Sequence, residues 1–151
     1  MQVVQYEVAG WGVGELYLDG ERLLWHELPT ARPGGGNGEH PLVERLQRYF
    51  RGEPADFVDV SLDLEWATPF QRSVCDALRR VSWGEVVTYG ELAALAGRPN
   101  AQRAAGTFCA GNRFALLVPC HRVVAAGGIG SYGSLGVEYK RRLLALEGVE
   151  L

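Results

Sequence analysis

Short runs of β-forming residues, separated by polar turns, dominate the first 30 residues of the chain. Residues 3–8, 14–18 and 22–26 each have the composition and length of a strand. Asp19-Gly20 lies between the second and third runs, and this pair is a strong signal for a tight hairpin. In residues 41–50 the apolar positions change to helical spacing, so the first part of the chain predicts a β-rich lobe with one amphipathic helix. The helical positions are Leu42, Leu46, Tyr49 and Phe50.

The rest of this half offers little chemistry. Residues 33–38 are too rich in glycine to be ordered by themselves, and their spacing fits no phosphate-binding fingerprint. Residues 57–62 have a strand-like composition. His26 and His40 stand near predicted loops without ligand partners in the sequence, so we interpret both as surface residues.

After residue 66 the hydrophobic pattern becomes helical. Thr68 begins a helix as its cap, with Pro69 in the first turn and Gln71 completing a capping box. Gly84 is expected to end this helix, and Cys75, beside the buried stripe, is interpreted as an inert packing residue. The stripe consists of Phe70, Val74, Ala77, Leu78 and Val81.

A second capping box, Thr88 with Glu91, predicts a short helix that stops at Gly97. Asn100 is expected to cap a third helix over about residues 101–110. Two short helices joined by a glycine-containing turn are typical of a helix-turn-helix, although many helical hairpins bind nothing. The third helix is built from small residues with one charge, Arg103. That surface suits close approach to a narrow groove, with one arginine free to enter a base stack.

The charges divide unevenly along the chain. The net charge of the 151 residues is −3, but residues 1–66 hold 12 acidic and 5 basic side chains, whereas residues 67–151 hold 6 acidic and 10 basic ones. All but one of the second half's cations are arginine, which suits bidentate contacts with phosphate. A basic face that is merely solvated explains the charge equally well.

Composition also limits the setting. The three cysteines are widely spaced and form no Cys-x-x-Cys pair, so we expect no disulfide framework and no zinc site. We also expect no cofactor. A reducing, cytoplasmic compartment is the natural setting for free thiols. No segment approaches the roughly 18 apolar residues of a membrane span, and residues 1–7 do not resemble a leader, so we expect no contact with a membrane.

The main chemical candidate lies in the apolar run of residues 116–124, which carries Pro119, Cys120, His121 and Arg122 in succession. It predicts a buried strand whose end delivers a thiol beside an imidazole, an arrangement that generates a reactive thiolate. The alternative is an inert core cysteine. Because side chains alternate along a strand, a contact between Cys120 and His121 requires the strand to end and turn at Pro119.

The residues 119–123, Pro-Cys-His-Arg-Val, together with Gly111-Asn112 and the predicted helix-turn-helix, resemble the signature of the O6-alkylguanine-DNA alkyltransferases. The resemblance covers essentially all of residues 67–148, whereas residues 1–66 resemble the family's variable lobe only in general character. It implies an α/β (α+β) fold with two domains. Residues 1–66 would form a small β-sheet-plus-helix lobe, and residues 67–151 a mainly helical, winged-helix or helix-turn-helix domain that carries the active site.

The resemblance also implies roles. Cys120 would take the alkyl group irreversibly, His121 would accept the thiol proton through a water, and Glu147 would orient the imidazole. Asn112 would tie the turn before Cys120 to the helix-turn-helix, and Arg103 would fill the stack vacated by a flipped base. The base pocket would comprise Tyr89, Val123, Tyr132, Gly133, Ser134 and Cys109, the last as a possible second thiol. DNA would be contacted by Arg103, Thr88, Gln102, Ala104 and Arg122.

Under this hypothesis the protein is a monomeric DNA-repair enzyme that acts once on O6-alkylguanine, and on O4-alkylthymine, in double-stranded DNA. Two other interpretations stay open. A lesion-binding module of the same family would flag damage without removing it, although such modules lack the cysteine. A Cys–His hydrolase would use Cys120, His121 and Glu147, but no oxyanion-hole pattern is apparent. Residues 132–136 depart from the family's usual pattern, so the adduct size is open.

Overall fold

An antiparallel sheet opens the fold in the computed structural model, which describes residues 1–151. Its strands are β1 (Gln2–Val8), β2 (Gly12–Asp19) and β3 (Arg22–Thr30), in the order β1-β2-β3. Asp19 pairs with Arg22 across the tight turn, where Gly20 has a φ of 60°. The three predicted strands and the hairpin are confirmed.

Helix α1 (Pro41–Phe50) follows and covers the sheet with its apolar face, as predicted. The glycine-rich segment before it obtains its order from β1 and not from its own sequence. The Gly36 N–H donates to Glu7 Oε1 at 2.7 Å, the Glu7 N–H donates to Asn37 Oδ1 at 2.9 Å, and the Gly38 N–H donates to the Gln5 carbonyl at 2.8 Å.

The second half is mainly helical: α2 (Pro69–Arg79), α3 (Tyr89–Leu95), α4 (Gln102–Ala110) and α5 (Val137–Leu146), with two short parallel strands, β4 (Val87–Thr88) and β5 (Val123–Val124). Both predicted capping boxes are present, at the starts of α2 and α3. Helices α3 and α4 pack against each other as the predicted helix-turn-helix. The expected mixed fold, a small antiparallel sheet with helices, is confirmed.

Three local predictions are wrong. Residues 57–62 form no strand, and only Leu62 makes an isolated bridge, to Leu23. Helix α2 ends at Arg79, well before Gly84. Asn100 does not cap α4, because its φ of 77° places it in a left-handed turn and the cap is Ala101, whose side chain makes no bond.

His26 is not a surface residue; it is 2% exposed. The reason is that the outer edge of β3 is covered by the second half of the chain. The His26 N–H donates to the Arg113 carbonyl at 2.9 Å. Its Nδ1 lies 2.6 Å from the Ala115 carbonyl, which can only accept, so Nδ1 carries the proton and Nε2 accepts from the Tyr6 hydroxyl at 2.6 Å. His40 is half-buried and caps α1 by accepting the Leu42 N–H.

One apolar cluster of 29 buried residues includes residues from both halves of the chain. The core is therefore continuous across the predicted domain boundary at residue 66. Its members range from Tyr6 and Leu16 in the sheet to Leu92 and Leu143 in the helices. No helix of the structure has the length and apolar character needed to cross a membrane. No group of three or more His, Cys, Asp or Glu side chains could hold a metal ion.

The burial of His26 makes the free energy of unfolding depend on pH. It lowers the pKa of His26 from 6.5 to about 4, although the Ala115 carbonyl opposes this change. The unfolded chain therefore binds more protons than the folded one between these values, and the free energy of unfolding falls as the pH drops from about 6.5 to about 4. We expect wild type to lose roughly 2 kcal/mol more between pH 7 and pH 4.5 than His26→Gln, measured by urea denaturation. Equal losses in the two proteins would contradict the assignment.

Candidate active site and DNA-facing groove

The backbone of residues 116–124 does not form the continuous strand that the sequence predicts. Leu116 has a φ of 77°, and the chain turns at Pro119 into one turn of 3-10 helix over Cys120–Arg122. Only Val123–Val124 is extended, and it pairs with β4. The turn at Pro119 is the one that an approach of thiol and imidazole requires. With three residues per turn, the side chains of Cys120–Arg122 point in three different directions.

Cys120 lies at the bottom of a cavity of about 450 Å³ and is only 4% exposed. Asn112 holds it there: Nδ2 donates to Sγ at 3.2 Å and to the Val118 carbonyl at 2.8 Å, while Oδ1 accepts the Phe114 N–H at 2.9 Å. Asn112 follows directly after α4 and its C-cap Gly111. One side chain therefore joins the end of the helix-turn-helix to the cysteine.

The Cys120 sulfur is a neutral thiol at rest. Burial raises its pKa well above 9, and the thiol of Cys109 raises it further, whereas the bond from Asn112 lowers it. Burial disfavours the thiolate more than the neighbours of Cys120 favour it. A reaction at this sulfur needs a base that removes its proton.

His121 has the geometry of such a base. It is completely buried, and its Nε2 lies 2.6 Å from Glu147 Oε2. Burial lowers the pKa of His121 despite the hydrogen bond and charge of Glu147, so the ring is neutral and carries one proton. Because a carboxylate only accepts, that proton is on Nε2. Nδ1 is left as a buried acceptor with no hydrogen-bond partner.

Glu147 caps the C-terminus of α5, where a carboxylate opposes the helix dipole. Its surroundings offset that cost. Burial raises the pKa of Glu147, but the hydrogen bonds from His121 and Arg122 and the positive charge of Arg122 lower it to about 2, so it stays ionised. The donors to Oε1 are Arg122 Nε (2.8 Å) and the Gly84 N–H (3.1 Å), and those to Oε2 are His121 Nε2 (2.6 Å), the Tyr49 hydroxyl (2.6 Å) and Arg122 Nη2 (3.1 Å).

This arrangement corrects one predicted role and adds two residues. Arg122 does not lie where DNA could reach it: it is 7% exposed, grips Glu147 with two nitrogens and donates from Nη1 to the Val81 carbonyl at 2.6 Å. The sequence reasoning missed Tyr49 and Gly84 as members of the site. A tyrosine among the purely apolar positions of α1 was the available signal for Tyr49, whereas a lone glycine carried none for Gly84.

The cavity walls include most of the predicted pocket residues: Tyr89, Cys109, Tyr132, Gly133 and Ser134 line it together with Cys120. Val123 does not line it. Its side chain is completely buried, its N–H donates to the Cys120 carbonyl and its own carbonyl accepts from Lys140 Nζ at 2.6 Å. Strand β3 forms another part of the wall, which the sequence did not indicate, with Trp25, His26, Glu27 and Leu28.

An open groove of about 770 Å³ adjoins this cavity, and the two share Tyr89, Gly106, Ala110 and Ser131. Gln102 and Arg103 line the groove from α4, and the exposed Arg103 guanidinium pairs with no carboxylate or other acceptor. Ala104 is exposed on the same helix but does not line the groove. The Thr88 hydroxyl is engaged as the cap of α3. A free cation therefore stands beside the entrance to the cysteine.

Comparison with known proteins relates this geometry to a family. The sequence model described as "6-O-methylguanine DNA methyltransferase, DNA binding domain" matches residues 69–149. A methylated-DNA–protein-cysteine methyltransferase of Metallosphaera sedula is 46% identical over 107 residues, which are 71% of this chain and 66% of that protein. Its counterpart in Methanopyrus kandleri is 45% identical over 109 residues, 72% of this chain and 80% of the relative.

Solved structures agree along almost the whole chain. The crystal structure of Mycobacterium tuberculosis OGT in complex with DNA superposes with a TM-score of 0.81 at 34% identity, covering 98% of this chain and 93% of that one. The O6-methylguanine-DNA methyltransferase of Pyrococcus kodakaraensis superposes with a TM-score of 0.77 at 28% identity, covering 98% of this chain and 100% of the other.

The site geometry, the matched DNA-binding domain and these relatives lead to one conclusion: this chain belongs to the family of 6-O-methylguanine DNA methyltransferases, the methylated-DNA–protein-cysteine methyltransferases.

Proposed function

We propose that this protein repairs DNA by moving an alkyl group from O6 of guanine to Sγ of Cys120, once per molecule. Membership of the family supports the reaction class. The single observation that carries the proposal for this chain is the site itself. A thiol at the bottom of an accessible cavity is followed in sequence by a buried neutral imidazole, whose Nε2 is fixed by Glu147 and whose Nδ1 is free to accept.

The proposed reaction is a nucleophilic displacement at the alkyl carbon. His121 Nδ1 accepts the thiol proton through a water, and the resulting thiolate attacks the alkyl carbon. The Sγ–C bond forms, the C–O6 bond breaks, and the guanine leaves and takes up a proton, so that the thiol proton ends on the base. The ionised Glu147 stabilises the imidazolium while it exists. A thioether is not cleaved by this machinery, so the protein is consumed.

A neutral resting thiol suits a protein that acts once. The thiolate is the form that reacts with oxidants and adventitious electrophiles, and its reactivity follows its exposure. Here burial keeps the proton on Cys120, so the thiolate forms only when His121 accepts that proton. We infer that proton transfer to His121, and not a permanently lowered pKa, generates the nucleophile.

The cavity and the adjoining groove support action on double-stranded DNA. A base inside a duplex cannot present its O6 to a sulfur at the bottom of a cavity, so the nucleotide has to be flipped out, at a cost of a few kcal/mol. The unpaired Arg103 stands beside the cavity entrance on a helix with small side chains, which allow close approach to a groove. We propose that Arg103 occupies the vacated stack, that binding needs no partner subunit, and that O4-alkylthymine is a second substrate.

The nucleophile can be located by mass. Incubation with a duplex that contains one O6-methylguanine should add one methyl group to the intact protein, and peptide mapping should place it on Cys120. Cys120→Ala should gain nothing. Cys75→Ser is the matched control and should keep the gain, since burial raises the pKa of Cys75 to about 11 and its thiol is unreactive. A methyl gain in Cys120→Ala would show that the nucleophile is misassigned.

The role of Arg103 can be separated from the chemistry. Arg103→Ala should slow transfer from an O6-methylguanine duplex by about tenfold, because part of the flipping cost is no longer offset. Transfer from free O6-benzylguanine should change little, since that substrate needs no extrusion. Arg48→Ala, which removes an exposed arginine on α1, is the control. Equal losses of Arg103→Ala on both substrates would argue against the role in the stack.

A further inference from the structure

The hydroxyl of Tyr49 is a polar group on an otherwise apolar helix face. Tyr49 is 1% exposed, and its ring packs edge-on against Phe50, Trp83 and His121, with centroid distances of 5.3, 5.4 and 6.3 Å. A phenylalanine at position 49 would keep these ring contacts, because they do not involve the hydroxyl. Burying a hydroxyl costs free energy unless it is hydrogen-bonded. The hydrogen bonds of the Tyr49 hydroxyl therefore indicate why a tyrosine occupies this position.

The hydroxyl competes with His121 for one oxygen atom. It donates to Glu147 Oε2 at 2.6 Å, and His121 Nε2 lies 2.6 Å from the same oxygen. The Tyr49 oxygen and His121 Nε2 are 3.3 Å apart. Since both carry their protons toward Oε2, this separation reflects two donors crowded on one acceptor. Burial and the nearby Glu147 raise the pKa of Tyr49 well above 10, so the phenol remains a neutral donor.

Building on the alkyl transfer proposed above, we propose that Tyr49 is a positioning residue: by sharing Glu147 Oε2, its hydroxyl limits how strongly the carboxylate holds the imidazole proton. A second short donor withdraws electron density from Oε2. The carboxylate then stabilises the imidazolium less than it would alone. His121 can therefore receive the thiol proton and also release it to the departing guanine.

No other group near His121 can be removed so cleanly. Glu147 favours a second proton on the ring, whereas the charges of Arg122 and Lys140 oppose it. Both cations are structural as well: Arg122 bonds Glu147 and Val81, and Lys140 Nζ donates to the carbonyls of Val123 and Ser131. Those charged groups and Tyr49 are the titratable groups that act on the ring. Only Tyr49→Phe alters the acceptor without changing a charge.

The Tyr49 hydroxyl gives the N-terminal half a part in the reaction. Tyr49 lies on α1, 98 residues before Glu147, and no other side chain from residues 1–66 bonds to Cys120, His121 or Glu147. A change in how α1 sits against the second half would move this hydroxyl away from Oε2. The reactivity of Cys120 is thereby coupled to the docking of α1.

The test compares Tyr49→Phe with Tyr17→Phe, a matched loss of a hydroxyl that bonds only to Glu15 on β2. Protein labelled with ¹⁵N-histidine gives the titration of His121, and single-turnover rates on an O6-methylguanine duplex give the pH profile of transfer. Loss of one donor to a charged acceptor should move both the His121 midpoint and the acid limb of the profile upward by about one pH unit. Tyr17→Phe should move neither.

Site-specific fluorotyrosine at position 49 is a second variant that keeps the ring and its packing. Its phenol is a stronger donor, so the His121 midpoint should move downward, opposite to Tyr49→Phe. An unchanged His121 titration in both variants would overturn the proposal, as would a loss of rate in Tyr49→Phe that is uniform across the pH range. The nuclear magnetic resonance titration needs no substrate. If wild type failed to alkylate Cys120, the proposed function would fall while the titration still decided the role of Tyr49.

Discussion

The buried carboxylate of Glu147 is the interaction on which the rest of the site depends. It collects donors from α1, from the turn after α2 and from the 3-10 helix that carries the cysteine, and it lies itself at the end of α5. Removing one partner of such a buried pair typically costs 3–5 kcal/mol, because a charge remains without compensation. The Glu147 carboxylate therefore holds together four segments that are far apart in the sequence. The same carboxylate fixes the tautomer of His121, so the stability of the fold and the reactivity of the site both depend on Glu147.

Near Glu147, the nucleophile Cys120 and the base His121 are both in their neutral forms. Burial keeps the proton on Cys120 and keeps His121 neutral, because it disfavours the charged form of each group. A neutral thiol next to a neutral imidazole costs little to bury, whereas a resting ion pair would require strong compensation. The groove beside the cavity, with its one free arginine, then adds the selection step, since only a base that leaves the stack reaches the sulfur.

Local features of the fold were accessible from sequence because their physics is local. The capping boxes at Thr68 and Thr88, the Asp19-Gly20 turn and helix α1 each depend on residues within a few positions of one another. Predictions that failed depended on distant groups. Residues 116–124 have the composition of a strand, yet the chain turns at Leu116 and Pro119, and only Val123–Val124 pairs with another strand. His26 has no partner nearby in sequence, and the carbonyls that it bonds, those of Arg113 and Ala115, come 87 or more positions later.

For the site, the sequence by itself determined which groups could react: a cysteine and a histidine in adjacent positions, an asparagine after a helix, and a glutamate where a helix would not favour one. Identity and order along the chain are enough to fix that chemistry. Only the tertiary structure decided how those groups are used. In the folded chain, Arg122 is bonded to Glu147 and not available to DNA. The Tyr49 hydroxyl and the Gly84 N–H donate to the same carboxylate, and burial keeps the Cys120 thiol protonated. Burial and the convergence of distant donors set protonation states, and neither is encoded in local spacing.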